Sequence, residues 1–372
     1  MEKKIIQKNF SCLKYNSIYK KNFLKVLKLF KSIEKKKEYD HLRCNVSYKL
    51  FFNYEKVIKN NIKAEKKYAQ LLEKIFNEVK DEIELIKFKI NQDKKFISKL
   101  KIKNKQNSKK LSIEKLTGDH YSKIFLRFNK YHLVEQPYEL LKKRFLRNKF
   151  DLNYFKGKKG LDIGCGNGRY TLALKKMGLK SIIGCDISPV NIKTCNENKK
   201  KLGIKNIKFQ KQDALKLKYP TNSFDFTMSY GVFHHTKSLN KSVKEMVRVT
   251  KKGGIGLIFF IGGGGIRWSI IELCRKILQQ TDNNFIYNYF YFFPFAEKYY
   301  YLFLDHLLTP INNLKSPDQL NKMFNSLEIK KYKKWDRGSD FDEVERVYKS
   351  KTSKIKKYNL FGHGECRYLF IK

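Results

Sequence analysis

Short apolar runs alternate with amphipathic segments along the second half of the chain. Runs that end at Ile163 and Asp186 are followed by runs at 207–212, 224–230 and 255–261, and apolar residues recur at helical spacing between them. A buried parallel strand reads as a short continuous apolar run, and a surface helix reads as steps of three and four. The pattern therefore predicts alternating strands and helices, which is typical of an α/β fold.

The first 110 residues follow a different pattern. They contain neither proline nor glycine, and from 54 to 100 apolar residues recur at steps of three and four. This spacing predicts a long amphipathic helix or a helical pair, which packs on a partner chain or folds as a small helical domain. The lysine-rich run 99–110 is typical of an exposed linker, and 116–146 contains two short helical patterns. The residues on the apolar face are Tyr68, Leu72, Ile75, Val79, Ile83, Ile86 and Ile90.

Residues 270–308 are dense in aromatic side chains. A membrane span would need about 20 predominantly apolar residues, and polar or helix-breaking residues such as Asn288, Pro294 and Glu297 interrupt every such window. The sequence therefore predicts no transmembrane span. We expect an inserted helical segment here, with most of its aromatics in a core and some facing a pocket for an amphipathic or ring-bearing molecule.

The segment LDIGCGNGRYT (161–171) joins a strand end, a glycine-rich turn and a helix start. Its glycines are Gly164, Gly166 and Gly168. A dinucleotide fingerprint would need its third glycine where Arg169 stands, which argues against an NAD site. Asp162 comes two residues before the first glycine, and a carboxylate at this strand end suits the ammonium group of an amino acid.

This glycine pattern with its preceding acid resembles motif I of the class I S-adenosylmethionine-dependent methyltransferases, in the small-molecule, type 11-like subgroup. The order of elements over 158–261 is similar to that family. The resemblance implies a Rossmann-like, seven-stranded, mostly parallel sheet with a reversed last strand, a helical lid insertion and a separate N-terminal α-helical segment. It divides the chain into a Lys-rich helical extension with coiled-coil character (1–110), a helical cap and linker (111–157), and a methyltransferase domain (158–372) with a lid insertion (262–315).

The resemblance also implies a set of residues that bind S-adenosylmethionine. Asp186 is expected to accept the ribose hydroxyls, Ile187 to pack on the adenine, and Asp213 to lie near the adenine amino group. The alternative role of Asp186 is to cap the following helix together with Ser188, and the two roles are compatible. The expected cofactor-binding residues are Asp162, Ile163, Gly164, Cys165, Gly166, Gly168, Asp186, Ile187, Asp213, Ala214, Ser229 and Tyr230, with Tyr121 and Arg127 from the upstream cap.

Candidate catalytic residues follow the fourth strand, and candidate substrate residues follow the fifth strand or lie between the last two strands. His234 and His235 lie just after the fourth strand, where an imidazole can take a proton at neutral pH. Their alternative role is structural, through a hydrogen bond at the helix start. Candidate substrate residues are Trp268, Arg337 and His363. The chain has no CxxC or HExxH spacing, so no metal site is predicted.

The chain carries 81 Lys and Arg against 35 Asp and Glu, a formal net charge of +46. Such a charge invites a nucleic-acid hypothesis. The first 110 residues hold 31 Lys and Arg against 12 Asp and Glu, so the excess is spread over both parts of the chain. Only 11 of the basic residues are arginine, which looks like a bias toward AT-rich codons, and nucleic-acid binding is not favoured.

These observations together predict an enzyme that transfers a methyl group from S-adenosylmethionine to an O, N or C atom of a small-molecule or lipid-like acceptor. The alternatives are an RNA methyltransferase and a non-catalytic cofactor-binding or scaffolding protein of the same fold. The fourth strand ends in SYGVFHH, without the NPPY-like tetrapeptide of base-amino methyltransferases. The seven cysteines form no disulfide framework and no secretory signal is visible, so we expect a cytoplasmic protein.

Overall fold

The computed structural model describes residues 17–32, 37–57, 65–92, 116–118, 120–122, 131–291, 297–327, 329, 331–336 and 353–372. These residues fall into two compact units. Unit 1 takes its described residues from Met1–Lys110, Gly264–Leu308 and Glu343–Gly362. Unit 2 takes them from Leu111–Gly263, Thr309–Asp342 and His363–Lys372.

Unit 2 is built around a seven-stranded sheet. Its strands are β1 (Lys159–Ile163), β2 (Ser181–Asp186), β3 (Ile207–Lys211), β4 (Phe224–Tyr230), β5 (Thr250–Ile261), β6 (Lys331–Trp335) and β7 (Glu365–Ile371). Their order is β3-β2-β1-β4-β5-β7-β6. Strands β1 to β5 pair in parallel, whereas β7 is antiparallel to β5 and to β6. The predicted fold class, with its reversed last strand, is confirmed.

Twelve α-helices are present in the described residues. In chain order they are α1 (Ser17–Ser32), α2 (Asp40–Val57), α3 (Glu65–Gln92), α4 (Gln136–Arg147), α5 (Arg169–Lys176), α6 (Pro189–Lys201), α7 (Leu239–Val249), α8 (Gly265–Leu278), α9 (Asn283–Tyr291), α10 (Glu297–Leu308), α11 (Pro317–Ser326) and α12 (Lys354–Phe361). Helices α4 to α7 and α11 belong to unit 2, and the others belong to unit 1.

The sheet of unit 2 has an apolar core on each face, as its continuous apolar strands require. One core contains Phe145 of α4, whose ring lies 5.2 Å from those of Phe155 and Trp335. The other contains Phe324 of α11, whose ring lies 5.2 Å from that of Tyr368 in β7. Helices therefore cover both faces and leave the carboxyl ends of the parallel strands as the edge at which open α/β sheets bind ligands.

Serine caps begin several helices of unit 2 where the sequence turns from strand to helix. Ser188 accepts a hydrogen bond from the Asn191 N–H at 3.3 Å, and Pro189 takes the first helical position of α6. Ser316 forms a capping box with Gln319 at the start of α11. These local signals fix where each helix begins next to the sheet.

In unit 1, the helix α3 carries the apolar stripe that the sequence predicted. Five residues of the stripe are buried within the unit, namely Tyr68, Leu72, Ile75, Val79 and Ile83. The Tyr68 hydroxyl donates to the Leu50 carbonyl of α2 at 3.0 Å. This stripe therefore forms part of a core within unit 1, and the predicted N-terminal helical segment is confirmed.

The helices of the predicted lid insertion belong to unit 1, whereas the sequence assigned 262–315 to the methyltransferase domain. The reason lies in packing between α8 and α2. The Cys274 Sγ donates to the Ser47 carbonyl at 3.5 Å, and Arg267 pairs with Glu55 at 3.2 Å. These partners are more than 200 residues apart in the chain, so no local pattern reveals their contact.

The glycine run after β5 packs tightly against the segment before β7. A Cβ atom on Gly262 would lie 2.6 Å from the His363 Cβ, and the Gly263 carbonyl accepts a hydrogen bond from the His363 N–H at 3.0 Å. Gly262 and Gly263 are the first two of the four consecutive glycines that follow β5. In unit 2 they allow two backbone segments to approach closely.

The described part of the chain has no helix long and apolar enough to cross a membrane. Six cysteines fall within it, and all six are buried and free. Within the same residues no group of three or more His, Cys, Asp or Glu side chains is placed to hold a metal ion.

Candidate functional site

The glycine-rich loop between β1 and α5 turns sharply at the carboxyl edge of the sheet. Gly164, Gly166 and Gly168 have φ angles of 76°, 55° and 84°, in the left-handed region that favours glycine. The N–H groups of Gly164 and Cys165 both donate to the Cys185 carbonyl of β2, at 2.7 and 2.9 Å. The loop is therefore tied to the end of β2, where Asp186 stands.

The Asp186 carboxylate links this loop to the start of α6. Its Oδ2 accepts from the Gly166 N–H at 2.9 Å, and its Oδ1 accepts from the Ser188 N–H at 2.9 Å and from the Asn191 side chain at 3.3 Å. Burial raises the pKa of Asp186 above its ordinary value, although these donors act to lower it. The carboxylate thus caps the helix and also lies at the glycine loop, as the sequence suggested.

Asp162, near the end of β1, is buried beneath the loop. Its Oδ2 accepts a hydrogen bond from the Thr171 hydroxyl of α5 at 2.6 Å. Burial raises the pKa of Asp162 to about 7, the Thr171 hydroxyl lowers it, and the nearby Asp186 raises it further. Two carboxylates with raised pKa values thus share one end of the loop, a combination that is frequent at functional sites.

Asn167 is a residue of this loop that the sequence did not single out. It is buried, and its side-chain nitrogen has no hydrogen-bond partner within the protein. An unpartnered buried amide is costly, so it marks a place where a ligand acceptor would restore a hydrogen bond. The signal in the sequence was its position between two glycines of the motif.

The remaining described residues that were predicted to bind the cofactor along the sheet lie at or just after the ends of β1 to β4. Ile163 and Cys165 are buried, the Ser229 hydroxyl donates to the Ile163 carbonyl at 3.2 Å, and Asp213 accepts from the Leu215 N–H at 2.8 Å. Ala214 packs against the core beside β4, and Ile187 is half-buried. Arg127 lies outside the described residues.

His235 and Tyr121 form a hydrogen-bonded pair after β4. The Nδ1 atom of His235 lies 2.8 Å from the Ile311 carbonyl, which can only accept, so Nδ1 carries the proton. The Nε2 atom therefore accepts from the Tyr121 hydroxyl, at 2.8 Å. Tyr121 thus bonds one of the two histidines that the sequence named. His234 is fully buried beside it, with ring centroids 3.9 Å apart.

A cluster of arginine and aromatic side chains lies at the ends of β4 and β5, and the sequence did not predict it. The guanidinium carbons of Arg144 and Arg367 lie 5.2 and 5.7 Å from the ring centre of Tyr230. The Tyr230 ring also contacts those of Tyr170 and Phe259, at 4.8 and 4.9 Å. Tyr230, one of the expected cofactor-binding residues, is thus the centre of a cationic cluster.

The two candidate substrate residues that the structure describes belong to different units. Trp268 is buried in α8 of unit 1, with its ring 5.2 Å from that of His306. His363 is half-buried in unit 2, and burial together with the charge of Lys334 lowers its pKa. Arg337 lies outside the described residues.

Comparison with known proteins places this site in a family. A family model described as a methyltransferase domain matches residues 161–258. The chain is 32% identical over 147 residues to a demethylmenaquinone methyltransferase from Geobacillus stearothermophilus, covering 39% of this chain and 56% of that protein. It is 30% identical over 174 residues to a tRNA (carboxymethyluridine(34)-5-O)-methyltransferase from Arabidopsis thaliana, covering 45% of this chain and 34% of that protein.

Among solved structures, a phosphoethanolamine N-methyltransferase 2 from Haemonchus contortus, in complex with S-adenosyl-L-methionine, aligns with a TM-score of 0.43 and 18% identity. The alignment covers 70% of this chain and 60% of that one. The chain spans about half the length, or less, of the curated relatives it matches. The glycine motif, the strand order and the family match agree, and this chain contains a class I S-adenosylmethionine-dependent methyltransferase domain, whose cofactor is S-adenosylmethionine.

Proposed function

We propose that this protein transfers the methyl group of S-adenosylmethionine to a small-molecule or lipid-like acceptor. The observation that carries the proposal is the Asp186 carboxylate, held at the glycine loop by the Gly166 and Ser188 N–H groups. A carboxylate offers about four lone-pair sites, and Asp186 already accepts from the Gly166 N–H, the Ser188 N–H and the Asn191 amide, so acceptor capacity remains for about one ribose hydroxyl. The buried, unpartnered nitrogen of Asn167 offers a donor on the same loop. These residues fit the cofactor.

Asp162 is the proposed partner of the cofactor's ammonium group. It is a buried carboxylate at the end of β1, and its Thr171 hydrogen bond fixes its orientation. Gly164, Cys165 and Gly168 would bring backbone to the ligand, and Ile187, Asp213 and Ala214 would line the adenine side. When bound, S-adenosylmethionine supplies an electrophilic methyl group on a cationic sulfur.

The Tyr121–His235 pair is the proposed route for the proton that the acceptor loses. The Tyr121 oxygen takes this proton as its own hydroxyl proton passes to the His235 Nε2, 2.8 Å away. The resulting imidazolium keeps its Nδ1–H on the Ile311 carbonyl. His234, buried behind His235, would keep the second ring in place by packing.

The names of the relatives support a small-molecule acceptor, since several are demethylmenaquinone methyltransferases. One relative is named as a tRNA methyltransferase, and the chain has a net charge of +46. RNA is therefore the second candidate acceptor. The Tyr68–Ile83 part of the apolar stripe in the N-terminal extension is buried in unit 1. This part of the stripe therefore gives no support for a helical partner.

Calorimetry with S-adenosylmethionine tests the cofactor site. The Asp186→Asn variant removes the charge that the ribose hydroxyl would use, and we expect affinity to fall by roughly tenfold to a hundredfold. The control is Asp151→Asn, an exposed cap whose side chain accepts from the Asn153 N–H. Unchanged affinity in Asp186→Asn would reject the cofactor site.

Incubation of the protein with labelled cofactor and cell extract tests the acceptor class. Label in small molecules or lipids supports the proposal, and label confined to RNA contradicts it. In the same assay, Tyr121→Phe should lower the turnover about a hundredfold or more while cofactor affinity is kept. Equal turnover in Tyr121→Phe would remove the pair from the mechanism.

A further inference from the structure

We propose that Arg144, Arg169 and Arg367 form a subsite that binds an anionic group of the acceptor, a carboxylate or a phosphate. The inference rests on the proposed function and names the acceptor more closely. It applies to residues within unit 2, all of which lie at the carboxyl edge of the sheet or in the helices that cover it.

The first support is the state of Arg144. Arg144 is only 9% exposed, and its Nε and Nη1 atoms have no hydrogen-bond partner in the protein. A buried guanidinium keeps its charge at any physiological pH, and leaving its donors unsatisfied is costly. An oxyanion that accepts from the planar fork would satisfy both donors at once.

The second support is the convergence of three guanidinium groups. Arg144 and Arg367 both lie over the Tyr230 ring, and Arg169 lies 4.6 Å from the ring centre of Tyr170, to which its Nη2 donates at 2.8 Å. Within the cluster the Glu365 carboxylate pairs with Arg367. Guanidinium groups that converge on one place attract an anion.

The pKa of Tyr170 reflects the positive electrostatic potential of the arginines. Burial acts to raise its pKa, yet the charges of Arg169 and Arg144 lower the pKa of Tyr170 below its ordinary value. For the neighbouring Tyr230 burial prevails and its pKa is raised, even though Arg144 and Arg367 act to lower it. The positive charges that lower the pKa of Tyr170 would also stabilise an anionic ligand close to Arg144.

We assign the anion to the acceptor because Arg367 and the rings of Tyr230 and Phe259 lie on β7, β4 and β5, whereas Asp162 and Asp186, the proposed cofactor contacts, lie on β1 and β2. Arg144 belongs to α4, and Arg169 begins α5 directly after the glycine loop. The Phe259 ring connects the cluster to the proposed base. It lies 4.9 Å from the Arg367 guanidinium and 6.2 Å from the His234 ring.

An acceptor bound there would have its anionic group on the arginines and its nucleophile directed to the Tyr121–His235 pair. This arrangement predicts an acceptor with two polar ends, such as a ring or chain that carries a hydroxyl or amine and, apart from it, a carboxylate or phosphate. Binding of the anionic group, away from the nucleophile, would orient the reacting atom.

The test uses the full chain saturated with S-adenosylhomocysteine, with inorganic phosphate and 4-hydroxybenzoate as probes in calorimetry. We expect both anions to bind the wild type, and Arg144→Gln to weaken them by about tenfold or more. The matched control is Lys143→Gln, which removes one positive charge from an exposed position of the same helix. We expect its affinity to change less than about twofold. The Glu365→Gln variant, which removes the opposing carboxylate, should bind both anions more tightly.

Three results would overturn the inference. The first is that neither anion binds the saturated wild type, and the second is that Arg144→Gln and Lys143→Gln behave alike. The third is that Arg144→Gln weakens S-adenosylhomocysteine itself, which would assign the arginine to the cofactor's carboxylate. If Arg144→Gln does not fold, Arg144→Lys takes its place, and the loss of the planar fork should still weaken 4-hydroxybenzoate. Loss of cofactor binding in the wild type would instead refute the proposed function.

Discussion

Replacing Asp162 with asparagine should raise the stability of unit 2 relative to the wild type as the pH rises from 5 to 8. Burial raises the pKa of Asp162 from 3.8 to about 7. One pKa unit corresponds to 1.36 kcal/mol, so ionising this carboxylate in the folded protein costs about 4 kcal/mol at pH 8. Because the folded state holds the proton more tightly than the unfolded state, the stability is fully present below about pH 4. It is lost as the pH rises to about 7.

Asp162→Asn lacks this titration, so its free energy of unfolding should rise relative to the wild type by about 3 kcal/mol between pH 5 and pH 8. The asparagine oxygen can still accept from Thr171, and any constant cost of the new amide does not alter this pH dependence. The quantity to measure is therefore how the difference in free energy of unfolding between Asp162→Asn and the wild type changes with pH.

Urea unfolding followed by tryptophan fluorescence measures this difference. The chain has two tryptophans, Trp268 in unit 1 and Trp335 in unit 2. A Trp268→Phe background makes Trp335 the sole reporter, and its indole lies in the core of unit 2 next to Phe145. If wild type and Asp162→Asn keep a constant difference from pH 5 to pH 8, the carboxylate does not titrate with a raised pKa and the reasoning fails.

Three further outcomes are expected. Asp225→Asn should have the opposite sign: partial burial acts to raise the pKa of Asp225, but the Lys251 ammonium lowers it below its ordinary value. The variant should therefore lose about 1–2 kcal/mol at pH 7 and approach the wild type as the pH falls through the lowered pKa of Asp225, in the same unfolding assay. Gly168→Ala should cost about 1–3 kcal/mol, because φ is 84° and the new Cβ would lie 3.0 Å from the Phe209 ring; a melting temperature equal to that of the wild type would contradict this. If Asp162 binds the cofactor's ammonium in its ionised form, S-adenosylmethionine affinity should rise about tenfold from pH 6 to pH 8 in calorimetry and stay flat in Asp162→Asn.

The sequence predicted the sheet and the cofactor loop because their signals are local. Strands β2, β4 and β5 contain short apolar runs, β3 alternates apolar and polar residues before it ends, and the turn to α5 needs glycine at three positive φ angles. Asp186 was accessible to the same reasoning, since it is the last residue of β2 and precedes the capping Ser188. Local steric and capping rules decide these positions, so they can be read without the fold.

Local sequence signals did not show which helices pack together in each unit. Helix α8 follows directly from the glycine run in the chain, yet it packs in unit 1 through contacts such as Cys274 to Ser47. Such contacts depend on side-chain complementarity between distant segments. A contiguous domain boundary is the natural prediction when only order along the chain is known.

The arginine cluster was missed because one basic residue in a lysine-rich chain carries little information by itself. The face of the helix or strand on which an arginine lies is more informative. Arg144 shares a helix face with the buried Leu141 three residues earlier, and Arg367 shares a strand face with Leu369. Among the described residues four Lys and Arg side chains are buried, and three of them are arginines (Arg43, Arg144, Arg367) against one lysine (Lys357).

That ratio reverses the composition, since arginine makes up only 11 of the 81 basic residues. A guanidinium tolerates burial better than an ammonium, because it is more weakly hydrated and offers a rigid fork of donors. Where codon bias fills the surface with lysine, an arginine at an inward-facing position of a helix or strand is therefore a site signal that sequence analysis can use. By this criterion Arg144 and Arg367 would have been candidate anion-binding residues before any coordinates were known.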